Sequence, residues 1–180
     1  EVTLQAPLIL TEQPRQLQVL IGAAGQSGER DLTICSRAQS SGEDSWLVHA
    51  RGRLTPQQAT DGGDLAELFS QWPPAGAQQV DISDGYDRLA DTGYDYGPAF
   101  QGLTALWRRG DEIYGEVVAP QDINAQVGQF NVHPALLDAA LHTVLLAAES
   151  EQTLLPFSWE NVTLHSGGAV GLRARLVAND

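Results

Sequence analysis

One carboxylate and two imidazoles stand in an otherwise apolar stretch, "HPALLDAALH", which covers residues 133–142. Asp138 precedes His142 by four residues, so on a helix both side chains project from the same face, one turn apart. A carboxyl group that is removed from water keeps its proton to higher pH and can then deliver that proton to a substrate. The spacing therefore makes Asp138 and His142 candidates for acid–base chemistry.

Two other interpretations of Asp138 stay open on these residues alone. The carboxylate can lie at the polar edge of the helix, or it can bond a neighbouring backbone group. His133, Asp138 and His142 can also be read together as metal ligands. Their spacing matches no familiar ligand pattern, and no cysteine or further carboxylate accompanies them in the sequence. We therefore expect no metal here.

A second unusual stretch is "GYDYGPAFQG", residues 93–102, which contains three glycines, one proline and three aromatic residues. This composition predicts a tight, shaped turn. The turn serves either as a structural loop whose rings pack inward, or as the wall of a pocket where the backbone approaches a ligand closely.

The elements that must position these residues are strands and one long helix. A helix is predicted from Pro134, which suits a first turn, and its expected buried stripe consists of Leu136, Leu137, Leu141, Val144 and Leu145. Before it, "DGYDRLADTG" predicts a short helix, and the alternating segments "LTALWRR" and "IYGEVVAP" predict two strands joined at Gly110 and Asp111. After it, "LPFSWENVTLH" and "GLRARLV" return to strand character.

The first 54 residues predict strands and no helix of useful length. "RQLQVLIG", "DLTICS" and "SWLVHARGRL" alternate with a period of two and are separated by Gly, Ser and acidic clusters. Residues 55–83 are rich in Pro, Gly, Gln and Ala around one short helical patch at residues 64–71, so we interpret them as a linker.

Composition restricts the possible functions. With 180 residues and 42% hydrophobic residues, the chain can bury one sizeable core, or form two small subdomains that share one. The 23 acidic and 10 basic residues give a net charge of -13, which argues against nucleic-acid binding and leaves an acidic partner only local arginines such as Arg108 and Arg109. Cys35 is the only cysteine, which excludes an internal disulfide.

The sequence shows no targeting or membrane segment. No basic region followed by an apolar one is visible, and no run of 18 apolar residues occurs. We therefore expect a cytoplasmic protein without a membrane partner. Because the chain begins at Glu1 and contains no methionine, we also expect it to be an excerpt of a longer protein.

Three motifs together carry a family resemblance. "GYDYGPAFQGL", "VHPALLDAALH" and "LPFSWENVTLH", in that order, resemble the C-terminal half of the dehydratase domain of modular type I polyketide synthases, and residues 1–54 resemble the later strands of its N-terminal half. The resemblance implies an α+β double hotdog, in which two curved antiparallel sheets each wrap a central helix. It assigns residues 1–54 to the remainder of the N-terminal hotdog without its helix, 55–83 to a linker and 84–180 to the C-terminal hotdog.

The same resemblance implies an activity and its residues. The reaction is dehydration of a β-hydroxyacyl thioester, carried on the phosphopantetheine arm of an acyl carrier protein, to an α,β-unsaturated thioester. Asp138 matches the catalytic aspartate, and His142 matches the Gln-or-His position that helps to hold it. The expected substrate-binding residues come from the tunnel loop: Tyr94, Tyr96, Gly97, Pro98 and Phe100.

The resemblance also implies partners. The domain is expected to need no cofactor of its own and to work with the acyl carrier protein and with neighbouring synthase domains. In the parent synthase it is expected to be a homodimer.

One part of the family pattern is missing. The catalytic base of these domains is a histidine in an H-x-x-x-G-x-x-x-x-P motif, and no such motif occurs in the 180 residues. His49 is followed by Gly52 and Pro56 at offsets of three and seven, which do not fit, and His165 is interpreted as a strand-end histidine. We therefore expect the isolated chain to be inactive and its parent to be an active dehydratase. The alternatives are a noncatalytic structural or docking remnant, and a pyran-forming or isomerising relative.

Overall fold

The computed structural model describes residues 1–39, 45–56, 69–148 and 155–178. The chain divides into two compact units, the first formed by residues 1–60 and 155–163 and the second by residues 61–154 and 164–180. Most of the helical patch expected at residues 64–71 lies outside the described residues.

The described residues form nine strands and three α-helices. The strands are β1 (Val2–Leu4), β2 (Arg15–Ile21), β3 (Arg30–Ala38), β4 (Leu47–Leu54), β5 (Gln78–Val80), β6 (Leu103–Arg109), β7 (Glu112–Val118), β8 (Ser158–Trp159) and β9 (Gly171–Val177). The helices are α1 (Gly85–Asp91), α2 (Gln121–Asn124) and α3 (Pro134–Ala147), and two 3-10 turns cover Pro98–Phe100 and Val127–Gln129.

The first unit contains a five-stranded antiparallel sheet in the order β2-β3-β4-β1-β8. The strands predicted from period-two alternation, β2, β3 and β4, are confirmed. No helix covers this sheet within the described part of the first unit. Several of its apolar side chains are accordingly exposed, among them Leu17, Val19, Leu20 and Ile21.

The segment "LPFSWENVTLH" differs from the sequence expectation, which placed it in the second subdomain. Only Ser158 and Trp159 form a strand, and they pair with Thr3 and Val2 of β1 in the first sheet. The amide N–H of Leu4 also donates to the carbonyl oxygen of Phe157 at 2.8 Å. A short extended segment joins whichever sheet edge has free backbone groups, and residue pattern alone does not tell which edge that is.

The second unit contains a four-stranded antiparallel sheet in the order β5-β6-β7-β9. Gly110 takes a φ of 59° in the turn between β6 and β7, as the Gly110-Asp111 turn predicts. The last strand of this sheet in chain order, β9, pairs along β7 from Glu112 to Val118. β5 lies inside the expected linker 55–83, so the end of that segment belongs to the sheet.

Helix α3 packs on one face of the second sheet, and two glycines allow the close approach. A β-carbon at Gly102 would lie 3.2 Å from Cβ of Ala139, and one at Gly115 would lie 2.5 Å from Oγ1 of Thr143. A larger residue at Gly102, just before β6, or at Gly115 in β7 would therefore push the helix away from the sheet.

The buried face of α3 differs from the predicted leucine stripe. It consists of Ala135, Leu136, Ala139, His142, Thr143, Leu146 and Ala147. Leu137 is 47% exposed, whereas Leu141, Val144 and Leu145 are partly buried. The helix is apolar on most sides. Where it approaches Gly102 and Gly115 closely, its small residues Ala139 and Thr143 make the contact. No helix in the described part of the chain is long and apolar enough to cross a membrane.

Candidate active site

Helix α3 begins with a histidine that completes its first turn. His133 lies at the N-cap, and its Nδ1 accepts a hydrogen bond from the N–H of Ala135 at 3.2 Å, which satisfies one of the free amides of the helix end. Pro134 follows at the first helical position, where its missing N–H costs no hydrogen bond. The His133 ring packs edge-on against Phe130. His133 is thus engaged in starting the helix.

One turn of α3 joins the two residues that the spacing singled out. Nε2 of His142 lies 3.2 Å from Oδ2 of Asp138. The imidazole is fully buried, while the Asp138 side chain is 38% exposed. A carboxyl group with one oxygen held by a buried ring and the rest reachable from solvent suits a group that exchanges a proton with a bound molecule.

A tyrosine that sequence reasoning missed completes the hydrogen-bond chain. Tyr86 of α1 places its hydroxyl oxygen 3.2 Å from Nδ1 of His142, and the N–H of Leu103 donates to that same oxygen at 3.0 Å. No local pattern could have indicated this contact, because 56 residues separate Tyr86 from His142 along the chain. The sequence predicts the short helix that carries Tyr86, but it does not predict the contact of the Tyr86 side chain with His142.

Aromatic rings enclose the imidazole. The Tyr96 ring centroid lies 4.0 Å from that of His142, and the Tyr86 ring meets the imidazole edge-on at 5.6 Å. Tyr94 stacks on Tyr96 at 6.1 Å with an interplanar angle of 9°. Of the expected tunnel loop, the structure therefore brings Tyr96 directly to the Asp138–His142 pair and Tyr94 to its outer side.

The tyrosines around the pair report its electrostatic environment. Burial raises the pKa of Tyr96 to about 12, and the negative charge of Asp138 adds to the shift. Burial also raises the pKa of Tyr86, again with a contribution from Asp138, against the lowering effect of the Leu103 N–H. Loss of water disfavours a charged phenolate, so both hydroxyls stay protonated at neutral pH.

The remaining loop residues surround the pair more loosely. Pro98 opens the 3-10 turn Pro98–Phe100, which packs against α3, and the N–H of Phe100 donates to the carbonyl oxygen of Gly97 at 2.9 Å. The side chain of Gln101 donates to the carbonyl oxygen of Tyr96 at 2.8 Å, which ties the loop to itself. Phe100 is 41% exposed, and among the described residues, its chain neighbours apart, no atom lies within 4 Å of the position of a β-carbon on Gly97.

His49, the other buried histidine with a possible catalytic reading, is held within the first unit. Its Nε2 lies 2.7 Å from Oγ of Ser36, and its Nδ1 lies 3.1 Å from the carbonyl oxygen of Ala6. It borders an apolar cavity of about 550 Å³. No group of three or more His, Cys, Asp or Glu side chains that could hold a metal ion occurs among the residues that the structure describes.

Comparison with known proteins adds a family to this geometry. A family model described as the polyketide synthase dehydratase N-terminal domain matches residues 64–179. Mycoketide-CoA synthase of Mycobacterium tuberculosis is 47% identical over 182 residues, which cover 98% of this chain and 4% of the synthase. The chain thus spans only a small fraction of the length of this multidomain relative. The family model is named for an N-terminal domain, whereas the motifs of residues 84–180 resemble the C-terminal hotdog. The assignment of residues 84–180 to the C-terminal hotdog stays a prediction.

Solved structures of dehydratases share the fold. One, concerned with dehydratase substrate selection for the borrelidin and fluvirucin polyketide synthases, is 43% identical with a TM-score of 0.83, and the match covers 99% of this chain and 62% of that one. A bifunctional dehydratase-cyclase domain from ambruticin biosynthesis is 38% identical with a TM-score of 0.82, and the match covers 99% of this chain and 63% of that one. The chain therefore belongs to the polyketide synthase dehydratase family and has its α+β double hotdog fold.

Proposed function

We propose that Asp138 is the general acid of a dehydratase site that removes water from a β-hydroxyacyl thioester and leaves an α,β-unsaturated thioester. Membership of the dehydratase family supports a dehydration role in polyketide biosynthesis. The observation that carries the finer proposal is the half-exposed carboxyl of Asp138, hydrogen-bonded to the buried imidazole of His142 one turn later.

The chemistry of elimination explains why a carboxylic acid is useful at this position. A hydroxide ion is a poor leaving group, so the β-hydroxyl must receive a proton as its carbon–oxygen bond breaks. In the proposed step the proton passes from Asp138 to the hydroxyl, the bonding electrons leave with the oxygen, and water departs. The resulting Asp138 carboxylate is stabilised by the His142 N–H.

A base must remove the α-proton, which the thioester carbonyl acidifies. The electrons of that carbon–hydrogen bond then form the new double bond. His142 already holds Asp138, and both nitrogens of His49 lie against partners within the first unit. The family resemblance implies a histidine base in an H-x-x-x-G-x-x-x-x-P motif, and we propose that this base is a histidine of the parent dehydratase outside these 180 residues.

The substrate and partners follow from the same proposal. Tyr94, Tyr96, Gly97, Pro98 and Phe100 are proposed to line the path of the acyl chain, supported by the ring contact of Tyr96 with His142, the exposure of Phe100 and the open space at Gly97. The substrate is proposed to arrive on the phosphopantetheine of an acyl carrier protein, within a homodimeric synthase. No cofactor is needed for this elimination.

A second candidate is dehydration followed by ring closure. It is favoured by the similarity to the dehydratase-cyclase domain of ambruticin biosynthesis. A later hydroxyl of the same chain would then add across the new double bond, which gives a product of the same mass as the enoyl thioester. Retention time and the loss of enoyl ultraviolet absorbance separate the cyclic product from the open one.

The test is Asp138→Asn in the intact dehydratase domain, with a 3-hydroxyacyl thioester as substrate and mass spectrometry of the dehydrated product. We expect about a 10²- to 10⁴-fold loss of turnover with the fold retained, which is the usual effect of removing a proton-transfer partner. Asp122→Asn, at an exposed carboxylate in the first turn of α2, is the matched control and should keep its activity. Unchanged turnover in a folded Asp138→Asn variant would remove Asp138 from the mechanism and favour a noncatalytic or differently catalytic domain.

A further inference from the structure

His142 has a different hydrogen-bond partner on each ring nitrogen. Its Nδ1 lies 3.2 Å from the hydroxyl oxygen of Tyr86, and its Nε2 lies 3.2 Å from Oδ2 of Asp138. A neutral imidazole carries one ring proton, so it donates from one nitrogen and accepts at the other. Which nitrogen is protonated depends on what the two partners can offer.

Leu103 biases the direction of this hydrogen-bond chain, because it occupies one lone pair of the Tyr86 oxygen. Its backbone N–H can only donate, and it donates to the Tyr86 oxygen at 3.0 Å. The single hydroxyl proton of Tyr86 is then free to point at Nδ1 of His142. Nδ1 accepts this hydrogen bond, so Nε2 carries the ring proton and donates a hydrogen bond to Oδ2 of Asp138.

We propose that Tyr86 is a positioning residue, which holds His142 in the Nε2–H tautomer and thereby fixes Oδ2 of Asp138 as a hydrogen-bond acceptor. The inference rests on the proposed role of Asp138 as the acid. Among the described residues no hydrogen bond reaches Oδ1 of Asp138. The proton that Asp138 delivers is then carried on Oδ1, the oxygen that His142 does not bond.

The packing around the imidazole supports a single orientation. Tyr96 lies against the ring face at 4.0 Å between centroids, and Tyr86 meets the ring edge-on at 5.6 Å. His142 itself is fully buried on the buried face of α3. A 180° flip of the ring would place a carbon where each ring nitrogen now makes its hydrogen bond.

The first test reads the tautomer directly. Nitrogen-15 spectra of labelled histidines are recorded on the intact dehydratase domain at neutral pH, with the His142 signals assigned by their loss in His142→Gln. We expect an unprotonated Nδ1 and a protonated Nε2, and a shift toward the Nδ1–H form or a mixture in Tyr86→Phe. Tyr114→Phe is the control, because it also removes a hydrogen-bonded hydroxyl in the second unit but touches Glu112 and Arg109 instead. An unchanged Nε2–H pattern in Tyr86→Phe overturns the proposal.

The second test uses turnover to measure whether the effect of Tyr86 depends on His142. Tyr86→Phe should lower kcat by about 10-fold with a smaller change in KM, as expected for loss of a group that orients a reacting residue. In a His142→Gln background the same change should cost much less, because the amide NH₂ only donates and can turn to Asp138 without Tyr86. An equal loss in both backgrounds would show that Tyr86 acts through the fold alone and would overturn the proposal.

The two proposals fail in different ways. If Asp138→Asn keeps full turnover while Tyr86→Phe changes the tautomer, the acid role fails and the control of the imidazole by Tyr86 stands. If Asp138→Asn is inactive while the tautomer survives Tyr86→Phe, the acid role stands and Tyr86 is not its positioning residue.

Discussion

The side chain of Thr143 occupies the space that a β-carbon at Gly115 would need, with its Oγ1 only 2.5 Å from that position. Thr143 is fully buried, and its hydroxyl donates to the carbonyl oxygen of Ala140 at 2.6 Å, so it cannot easily move aside. Gly115→Ala should therefore destabilise the domain by about 1–3 kcal/mol, the usual cost of overpacking a core. Urea unfolding measures the change.

Gly128→Ala is the matched control for this substitution. Apart from its two chain neighbours, the part of the chain that the structure describes places no atom within 4 Å of its β-carbon position, so the added methyl group meets no described side chain. Equal unfolding free energies of the two variants would show that α3 can move away from β7 without cost.

The raised pKa of Tyr96 predicts a loss of stability at high pH. Burial raises this pKa from 10.0 to about 12 in the folded protein. The neutral phenol is thus favoured by the fold, and its contribution is complete below about pH 10 and lost as the pH rises toward 12. Tyr96→Phe should lose less stability than the parent between about pH 9 and about pH 11.5, measured as the urea midpoint. An identical decline in both proteins would contradict the burial of this hydroxyl.

The lowered pKa of Glu112 predicts a loss of stability at low pH. Its pKa is lowered from 4.5 to about 2, first by the Tyr114 hydroxyl and then by hydrogen bonds from Arg175 and Arg109. The carboxylate therefore contributes stability above about pH 4.5 that is lost as the pH falls toward 2. Glu112→Gln should show a smaller drop in urea midpoint between about pH 6 and about pH 3. A drop as large as in the parent would mean that these contacts do not hold in solution.

The 180-residue chain alone should not dehydrate a 3-hydroxyacyl thioester, because the proposed base is not among its residues. In the intact domain, His49→Gln should leave turnover unchanged, since Ser36 and the Ala6 carbonyl engage both of its ring nitrogens. Mass spectrometry of the enoyl product checks both statements. Clear dehydration by the short chain, abolished by His49→Gln or His142→Gln, would identify the base within it.

Features of the fold that depend only on neighbouring residues could be predicted from the sequence. The alternation of β2, β3 and β4, the turn at Gly110 and the start of α3 at Pro134 each depend on contiguous residues, and the structure confirms them. The facing of Asp138 and His142 is equally local, because a four-residue spacing on a helix determines it.

Features that depend on distant residues could not be predicted in this way. The buried face of α3 is selected by Gly102 and Gly115 on the sheet, so exposed Leu137 and buried Ala139 cannot be ranked by their own hydrophobicity. The contact of Tyr86 with His142 is likewise set by how α1 and α3 pack. The catalytic and substrate-binding roles of the site residues stay predictions.

The pairing of β1 with β8 has a consequence for how the protein is made. Val2 lies beside Trp159, so the first sheet acquires its last strand only after most of the chain, including the whole of α3, has left the ribosome. Contacts this distant in sequence close slowly, because the loop entropy is lost before the strand gains its partner. Until then the backbone edge of β1 lacks this partner, and an unpaired strand edge can pair with a wrong strand.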